Sequence, residues 1–167
     1  MRALALVVFF LCLPLMVLIA VAILLFQPRS AIIFKQNRIG VNKEEFVIYK
    51  FTTMENNQIT PFGKLLRLLG LDELPQLINI IKGEMSFVGP RPLTQYDIER
   101  LEWDTPKYNK RWSVKPGITG AAQLSKVCDA QLSIRNDLWY IEHKSLVVDV
   151  RIIMESMLVP ILGKRTK

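Results

Sequence analysis

The chain has 167 residues, half of them hydrophobic, and 22 Lys and Arg against 15 Asp and Glu give it a formal net charge of +7. That length suits one domain with a modest core, and two cysteines with one histidine exclude a disulfide framework and a His-rich metal site. A basic balance selects for nucleic acid, anionic lipid or a polyanionic substrate, and the absence of any zinc-finger, RNP-type or basic-heptad pattern sets nucleic acid aside.

The apolar residues are unevenly spread. From Ala3 to Phe26 there is no charge, a run of 24 residues. As a helix it would extend ~36 Å, against ~30 Å of bilayer hydrocarbon. Three readings compete for it. A cleaved signal peptide would use Arg2 and the Ala20-Val21-Ala22 site, but the apolar run is longer than a usual h-region and continues through Phe26. A simple spanning helix has the length, and the basic residues Arg29, Lys35, Arg38 and Lys43 would then hold the following domain in the cytoplasm. The third reading turns on Pro14, which removes a hydrogen bond near the middle and bends a helix. Each half would then reach ~18 Å, enough to enter one leaflet and return. Membrane helices tolerate proline, so composition leaves the spanning and re-entrant readings open. Cys12 lies in this run and Cys128 in a distant polar stretch, which fits a reducing compartment.

Residues 31–51 predict a β-hairpin. Ile32-Ile33-Phe34 and Phe46 to Phe51 are rich in branched and aromatic residues, with Gly40-Val41-Asn42-Lys43 as the turn. Lys50, among apolar neighbours, either snorkels from a strand edge or faces an anion. Glu55 to Gln58 reads as a polar loop. Thr60 and Pro61 then supply an N-cap and first position for a short helix, with Leu65, Leu66 and Leu69 as its apolar face and Gly70 as its end. Arg67 lies one turn ahead of Asp72 and Glu73.

Those adjacent acids, with Pro75 behind them, read as the entrance of a helix. Leu74, Leu77, Ile78 and Ile81 form its apolar repeat and Gly83 its C-terminal glycine. Helix entrances favour negative charge, so an ordinary acidic first turn accounts for the pair locally. Glu84 to Val88 predicts a short strand leading into Gly89-Pro90-Arg91-Pro92. The two prolines restrict the backbone around Arg91 and so present its guanidinium with little entropy left to lose, which suits bidentate capture of phosphate. Thr94 to Asp104 predicts a charged helix. Lys115 to Gly120 is a Pro- and Gly-punctuated loop of the kind that lets backbone N–H groups approach a ligand. Asp129 to Lys144 predicts a helix with Leu132, Leu138 and Ile141 facing the core. In the last apolar stretch, Leu146 to Leu162, Asp149, Arg151 and Glu155 argue against a second span. They favour an amphipathic helix at the membrane interface or on the domain, ended by Pro160.

Taken together, Phe34-Lys-Gln-Asn-Arg-Ile-Gly40, Tyr49-Lys-Phe51, Leu71-Asp-Glu-Leu-Pro-Gln76, Gly89-Pro-Arg-Pro92 and Lys115-Pro-Gly-Ile-Thr-Gly120, behind a membrane segment with a central proline, resemble the bacterial monotopic phosphoglycosyl transferases. The resemblance runs from about Leu11 to Leu162. It implies transfer of a phosphosugar from a UDP-sugar to a polyprenol phosphate in two ping-pong steps with Mg²⁺. Asp72 would be the nucleophile and a metal ligand, and Glu73 would assist the metal site or the second step. Arg91 would bind phosphate, Pro90 and Pro92 would shape the nucleotide pocket, and Lys50 and Arg67 would sit near the active site, Arg67 toward a lipid headgroup. It further implies an α+β fold with a re-entrant helix-break-helix over residues 1–27, bent at Pro14. Residues 28–167 would form a catalytic domain on the cytoplasmic face of the bacterial inner membrane, with the small hairpin and several amphipathic helices around the site. Membrane lipids and the two substrates are the expected partners, nucleic acid is not, and a homodimer is compatible.

The chemistry agrees with that assignment. A carboxylate is a sound covalent nucleophile toward phosphorus, a pyrophosphate must be neutralised before an anion attacks it, and Mg²⁺ needs only one or two carboxylates because it keeps several waters. The departures from the family pattern are Leu13 in place of Ser before the membrane proline, Thr52 in place of Arg, Ala121 in place of Trp, and Ser125 to Asp129 in place of Asn-Gly-Arg-Asn. They leave the acidic pair intact and bear on the bend and on sugar specificity. The chain reads as a minimal catalytic form. The competing expectation is a membrane-anchored nucleotide-sugar-binding or scaffold protein that keeps the fold without catalysis.

Overall fold

A computed structural model describes residues 1–28, 30–125 and 129–158. The fold mixes helices with three two-stranded sheets, an α+β chain as expected. It divides into two compact units, Met1–Gln36 with Val47–Gly83, and Asn37–Phe46 with Glu84–Lys167. Strands β1 (Ile33–Ile39) and β2 (Glu45–Phe51) pair as the predicted hairpin, and the chain passes from one unit to the other within each strand. The hairpin closes through a 3-10 turn, Val41–Lys43, in which Asn42 and Lys43 take positive φ.

In the first unit, helix α1 (Arg2–Phe26) is long and apolar enough to cross a membrane, and among the described residues it is the one helix that is. It runs without interruption through Pro14, where a break was expected. An interior proline costs one backbone bond and a bend, which a helix packed along its length can absorb. Ala5, Met16, Ile19 and Ile23 are buried, and Phe9 and Cys12 pack beside the same cluster. Residues 5, 9, 12, 16, 19 and 23 alternate steps of four and three, so a single stripe faces the unit. The remaining faces expose Val7, Phe10, Leu11, Leu18 and Leu25. Both ends of the helix meet the unit. The Arg2 guanidinium fills the space beside Gly83 that a Cβ would need, and Gln27, fully buried, donates from Nε2 to Thr60 Oγ1 at 2.8 Å.

The expected polar loop after β2 is a tight hairpin. Strands β3 (Met54–Glu55) and β4 (Gln58–Ile59) pair antiparallel around Asn56 and Asn57, both at positive φ, the conformation such two-residue turns demand. Helix α2 (Pro61–Leu69) starts and stops as predicted: Thr60 Oγ1 accepts from Gly63 N at 2.9 Å, and Gly70 ends it in the left-handed region. Its buried face is narrower than the leucine pattern indicated. Gly63 and Leu66 are buried, whereas Leu65, Leu68 and Leu69 are about half exposed. Gly63 is there because a side chain would strike the Thr53 main chain.

The acids do not open an α-helix. Gly70 leads into a 3-10 segment, Leu71–Gln76, and helix α3 (Leu77–Lys82) begins only after it. Pro75 sits inside the 3-10 segment, and its missing N–H cannot continue the backbone ladder there. The buried positions of α3 also differ from the expected repeat: Leu77, Asn79 and Ile80. Asn79 is fully buried because its amide completes the edge of β2, accepting from Tyr49 N at 3.2 Å and donating to Val47 O at 2.7 Å.

In the second unit, strand β5 (Ser86–Val88) pairs parallel with β6 (Gly117–Thr119), Ser86 opposite Gly117 and Val88 opposite Thr119. The glycines of the Lys115 to Gly120 loop serve this pairing. A Cβ on Gly117 or Gly120 would run into the main chain of Gly89. Helix α4 (Gln95–Arg100) opens with a Thr94–Asp97 capping box and stops at Leu101, with Glu102 at positive φ, so it is shorter than the predicted Thr94 to Asp104. A 3-10 segment, Pro106–Ser113, brings Tyr108 and Trp112 into a core with Trp103, Ile98, Leu93, Ile39 and Ile134. Helix α5 (Ala130–His143), capped by Asp129, buries Ile134, Asp137 and Tyr140 rather than the expected set; Leu138 and Ile141 are only partly covered. Helix α6 (Leu146–Leu158) is amphipathic as predicted: Ile152 is buried with Val148 and Ile153 beside it, and Leu146, Val147, Val150, Met154 and Met157 are exposed. Pro160 and Cys128 lie outside the described residues.

Candidate active site

Four of the residues singled out in the sequence come together in the first unit. Asp72 is 8% exposed in the 3-10 segment. Glu73 beside it takes an ion pair from Lys50 of β2, Nζ to Oε1 at 2.7 Å, with both side chains about one-fifth exposed. Of the two readings of Lys50, it faces an anion, and that anion is the Glu73 carboxylate. Arg67 of α2 donates from Nε to Thr53 Oγ1 at 2.8 Å.

The electrostatics separate the two acids. Burial raises the Asp72 pKa above the usual carboxylate range, the Glu73 charge adds to that rise, and Lys50 and Arg67 oppose it from a distance. A half-desolvated carboxylate with a like-charged neighbour is a stronger nucleophile than a solvated one, provided it stays ionised. Lys50 closes on Glu73 rather than on Asp72 and acts on Asp72 only through its charge.

Pro90, Arg91 and Pro92 belong to the second unit. Both prolines are buried and Arg91 is exposed. The main chain of this turn is held from several elements. Gly117 N donates to Pro90 O at 3.0 Å, Arg111 Nη2 to Arg91 O at 2.6 Å, Arg38 Nη1 to Pro92 O at 3.1 Å, and Ile39 N to Leu93 O at 2.9 Å. Arg111 is itself buried in an ion pair with Asp137, Nε to Oδ2 at 2.9 Å, and its guanidinium carbon lies 5.3 and 4.7 Å from the Trp103 and Trp112 ring centroids. Burial pushes the Asp137 pKa up and the Arg111 pKa down, and their mutual attraction opposes both shifts.

Sequence reasoning missed Thr53, Arg38, Arg111 and Asp137. Arg111 and Asp137 carried a signal, each being a charge at a position whose helical neighbours are apolar or aromatic. Thr53 and Arg38 carried none, because their roles depend on chain segments distant in sequence.

A buried carboxylate with a raised pKa therefore shares its unit with a helix apolar enough for a membrane, and a turn that exposes an arginine follows in the chain. A family model described as bacterial sugar transferase matches residues 2–163, and the chain belongs to that family. It is 36% identical over 163 residues to a protein of Aeromonas hydrophila named UDP-N-acetylgalactosamine-undecaprenyl-phosphate N-acetylgalactosaminephosphotransferase, covering 86% of this chain and 38% of that protein. It is 37% identical over 175 residues to UDP-glucose:undecaprenyl-phosphate glucose-1-phosphate transferase of Xanthomonas campestris pv. campestris, covering 92% of this chain and 36% of that one. An uncharacterized sugar transferase, EpsL, of Bacillus subtilis (strain 168) is 35% identical over 156 residues, with 85% of this chain and 76% of EpsL covered. The chain thus spans little more than a third of the first two relatives and about three-quarters of the third.

Proposed function

We propose that the protein is a phosphoglycosyl transferase that moves a sugar-1-phosphate from a UDP-sugar to a polyprenol phosphate at the membrane surface. The observation that carries this reading is the buried Asp72, its pKa raised and its neighbour Glu73 already paired with Lys50. An Asp72 oxygen forms a bond to the sugar-bearing phosphorus as the diphosphate bridge breaks, UMP leaves, and the enzyme holds an aspartyl-phosphosugar. A phosphate oxygen of the polyprenol phosphate then bonds to that phosphorus, and the acyl-phosphate bond breaks to restore the carboxylate. Arg91 binds donor phosphate, Pro90 and Pro92 shape the nucleotide pocket, and Arg67 serves charge near Asp72 or a lipid headgroup.

The donor set fits Mg²⁺. The described residues contain no cluster of three metal-ligating side chains, and Asp72 with one oxygen of Glu73 offers the one or two hard oxygens that this ion takes beside water and phosphate. Bound there, it would neutralise charge on the donor diphosphate.

The membrane arrangement we infer is monotopic, with α1 seated in one leaflet along the first unit and the catalytic residues on the cytoplasmic face. Support comes from the two ends of α1, since Arg2 beside Gly83 and Gln27 bonded to Thr60 return both to the first unit. The exposed apolar faces of α1, α2 and α6 are the surfaces lipid would cover. A cysteine introduced at position 2 should be labelled only from the cytoplasmic side; labelling from outside intact cells would establish a spanning helix.

For the chemistry, the purified full chain should release UMP from one member of a UDP-sugar panel in the presence of Mg²⁺. Without acceptor lipid, mass spectrometry should find a phosphosugar adduct on Asp72. Binding of the donor with neither UMP nor adduct would identify a non-catalytic nucleotide-sugar-binding protein instead.

A further inference from the structure

The Gly89–Pro92 turn presents an exposed arginine on a main chain that is fastened residue by residue. Gly89 N donates to Thr119 O at 2.9 Å, and the carbonyls of Pro90, Arg91, Pro92 and Leu93 each accept a named donor. Two of those donors are guanidinium groups, and a charge-assisted bond to a carbonyl is stronger than an amide one. They come from opposite directions in the sequence, Arg38 from β1 and Arg111 from the Pro106–Ser113 segment.

Neither guanidinium is placed as an anion binder. Arg38 has Asp97 at 3.6 Å and Arg111 has Asp137 at 2.9 Å, so each brings its own counter-charge. Arg111 is further enclosed by Trp103 and Trp112, both buried, which fix the plane of its fork by cation–π contact. A rigid fork with one arm on Asp137 and another on Arg91 O transmits position, not charge.

We propose that Arg38 and Arg111 are positioning residues, acting through the carbonyls of Pro92 and Arg91 to fix the direction in which the Arg91 side chain meets the donor diphosphate. This rests on the reading that Arg91 binds phosphate. The turn's prolines restrict its torsions, and the two guanidinium clamps choose among the conformations that remain. Pre-organised arginines bind tightly because little freedom is left to lose on association.

The test measures UDP affinity of the Mg²⁺-supplemented full chain in lipid nanodiscs by titration calorimetry, since UDP carries the diphosphate common to all the donors. Thermal denaturation is followed on the same samples. Arg91→Ala should weaken UDP about tenfold or more. Arg38→Gln and Arg111→Lys should each weaken it several-fold. In the Arg91→Ala background, however, Arg38→Gln should cost nothing further, because residues acting through one another are non-additive. The full single-variant loss reappearing in that background would overturn the proposal, as would wild-type affinity in Arg38→Gln when Arg91→Ala is weak. Should Arg111→Lys fail to fold, the Arg38 cycle decides, because the Arg38 side chain is partly exposed and its loss buries no orphan charge. Unchanged UDP affinity in Arg91→Ala alone would instead refute the phosphate reading, and the clamps would lose their purpose with it.

Discussion

The Arg111–Asp137 pair of the second unit and the Lys50–Glu73 pair of the first are nearly the same length, 2.9 and 2.7 Å, yet their surroundings differ. The side chains of the first pair are 2% and 3% exposed and are closed in by tryptophan, whereas those of the second are 18% and 20% exposed and stand beside a second carboxylate. A buried pair with balanced charge makes a rigid joint. A half-open pair with a third, like charge next to it leaves that charge to be balanced from farther off, here by Arg67. In the first unit the third group is Asp72, whose pKa is raised by burial first and by the Glu73 charge second.

The contrast is broken most directly at Asp72. Asp72→Asn should lower UMP release by at least about 10³-fold, the order expected when a covalent nucleophile is removed. Full turnover by this variant would end its assignment as nucleophile. The same substitution should raise the melting temperature near neutral pH. The folded pKa of Asp72 lies above its unfolded value, so the carboxyl favours the fold fully only below about pH 4. That contribution is lost as pH rises through the raised pKa, and Asn avoids the loss. The gain should therefore vanish in melts at acid pH, below the unfolded value. A variant less stable than wild type at pH 7 would show that Asp72 is structural.

At the rigid joint the expectation reverses. Asp137→Ala leaves Arg111 buried without its counter-charge and should cost about 3–5 kcal/mol by chemical denaturation. Replacing both partners together, Arg111→Met with Asp137→Leu, should recover most of that stability while leaving donor affinity weakened, because the bond to Arg91 O is gone. Equal losses of stability in the single and double variants would mean that packing, not charge balance, holds the region.

How much of this was visible beforehand depends on how local each signal is. The caps at Thr60 and Gly70, the short strand at Ser86–Val88 and the amphipathic character of α6 followed from adjacent residues. The 3-10 path of Asp72 and Glu73 did not, because apolar spacing near Pro75 reads the same for an α-helix that starts early and one delayed by a turn. Asp137 drew no reading at all, for the opposite reason. Mid-helix acids ordinarily face water, and only Arg111, 26 positions away, makes burial tolerable. The acidic pair itself was legible as chemistry only in combination with its distant motifs, since locally it looks like an ordinary helix start.

The smallest and most discriminating effect concerns pH. Lys50 lowers the Asp72 pKa and Glu73 raises it, so removing each should move the acid limb of kcat/KM in opposite directions. Lys50→Met should shift the limb to higher pH, because Asp72 loses a cation that favours its ionised form. Glu73→Gln should shift it to lower pH, because a like charge is gone. The profile can be followed on residual UMP release even where kcat itself is depressed. If both variants move the limb the same way, the group titrating is not Asp72, and the half-open pair does not tune it. Opposite shifts would instead show that one ion pair sets the ionisation of the neighbouring acid while remaining outside the bond-making itself.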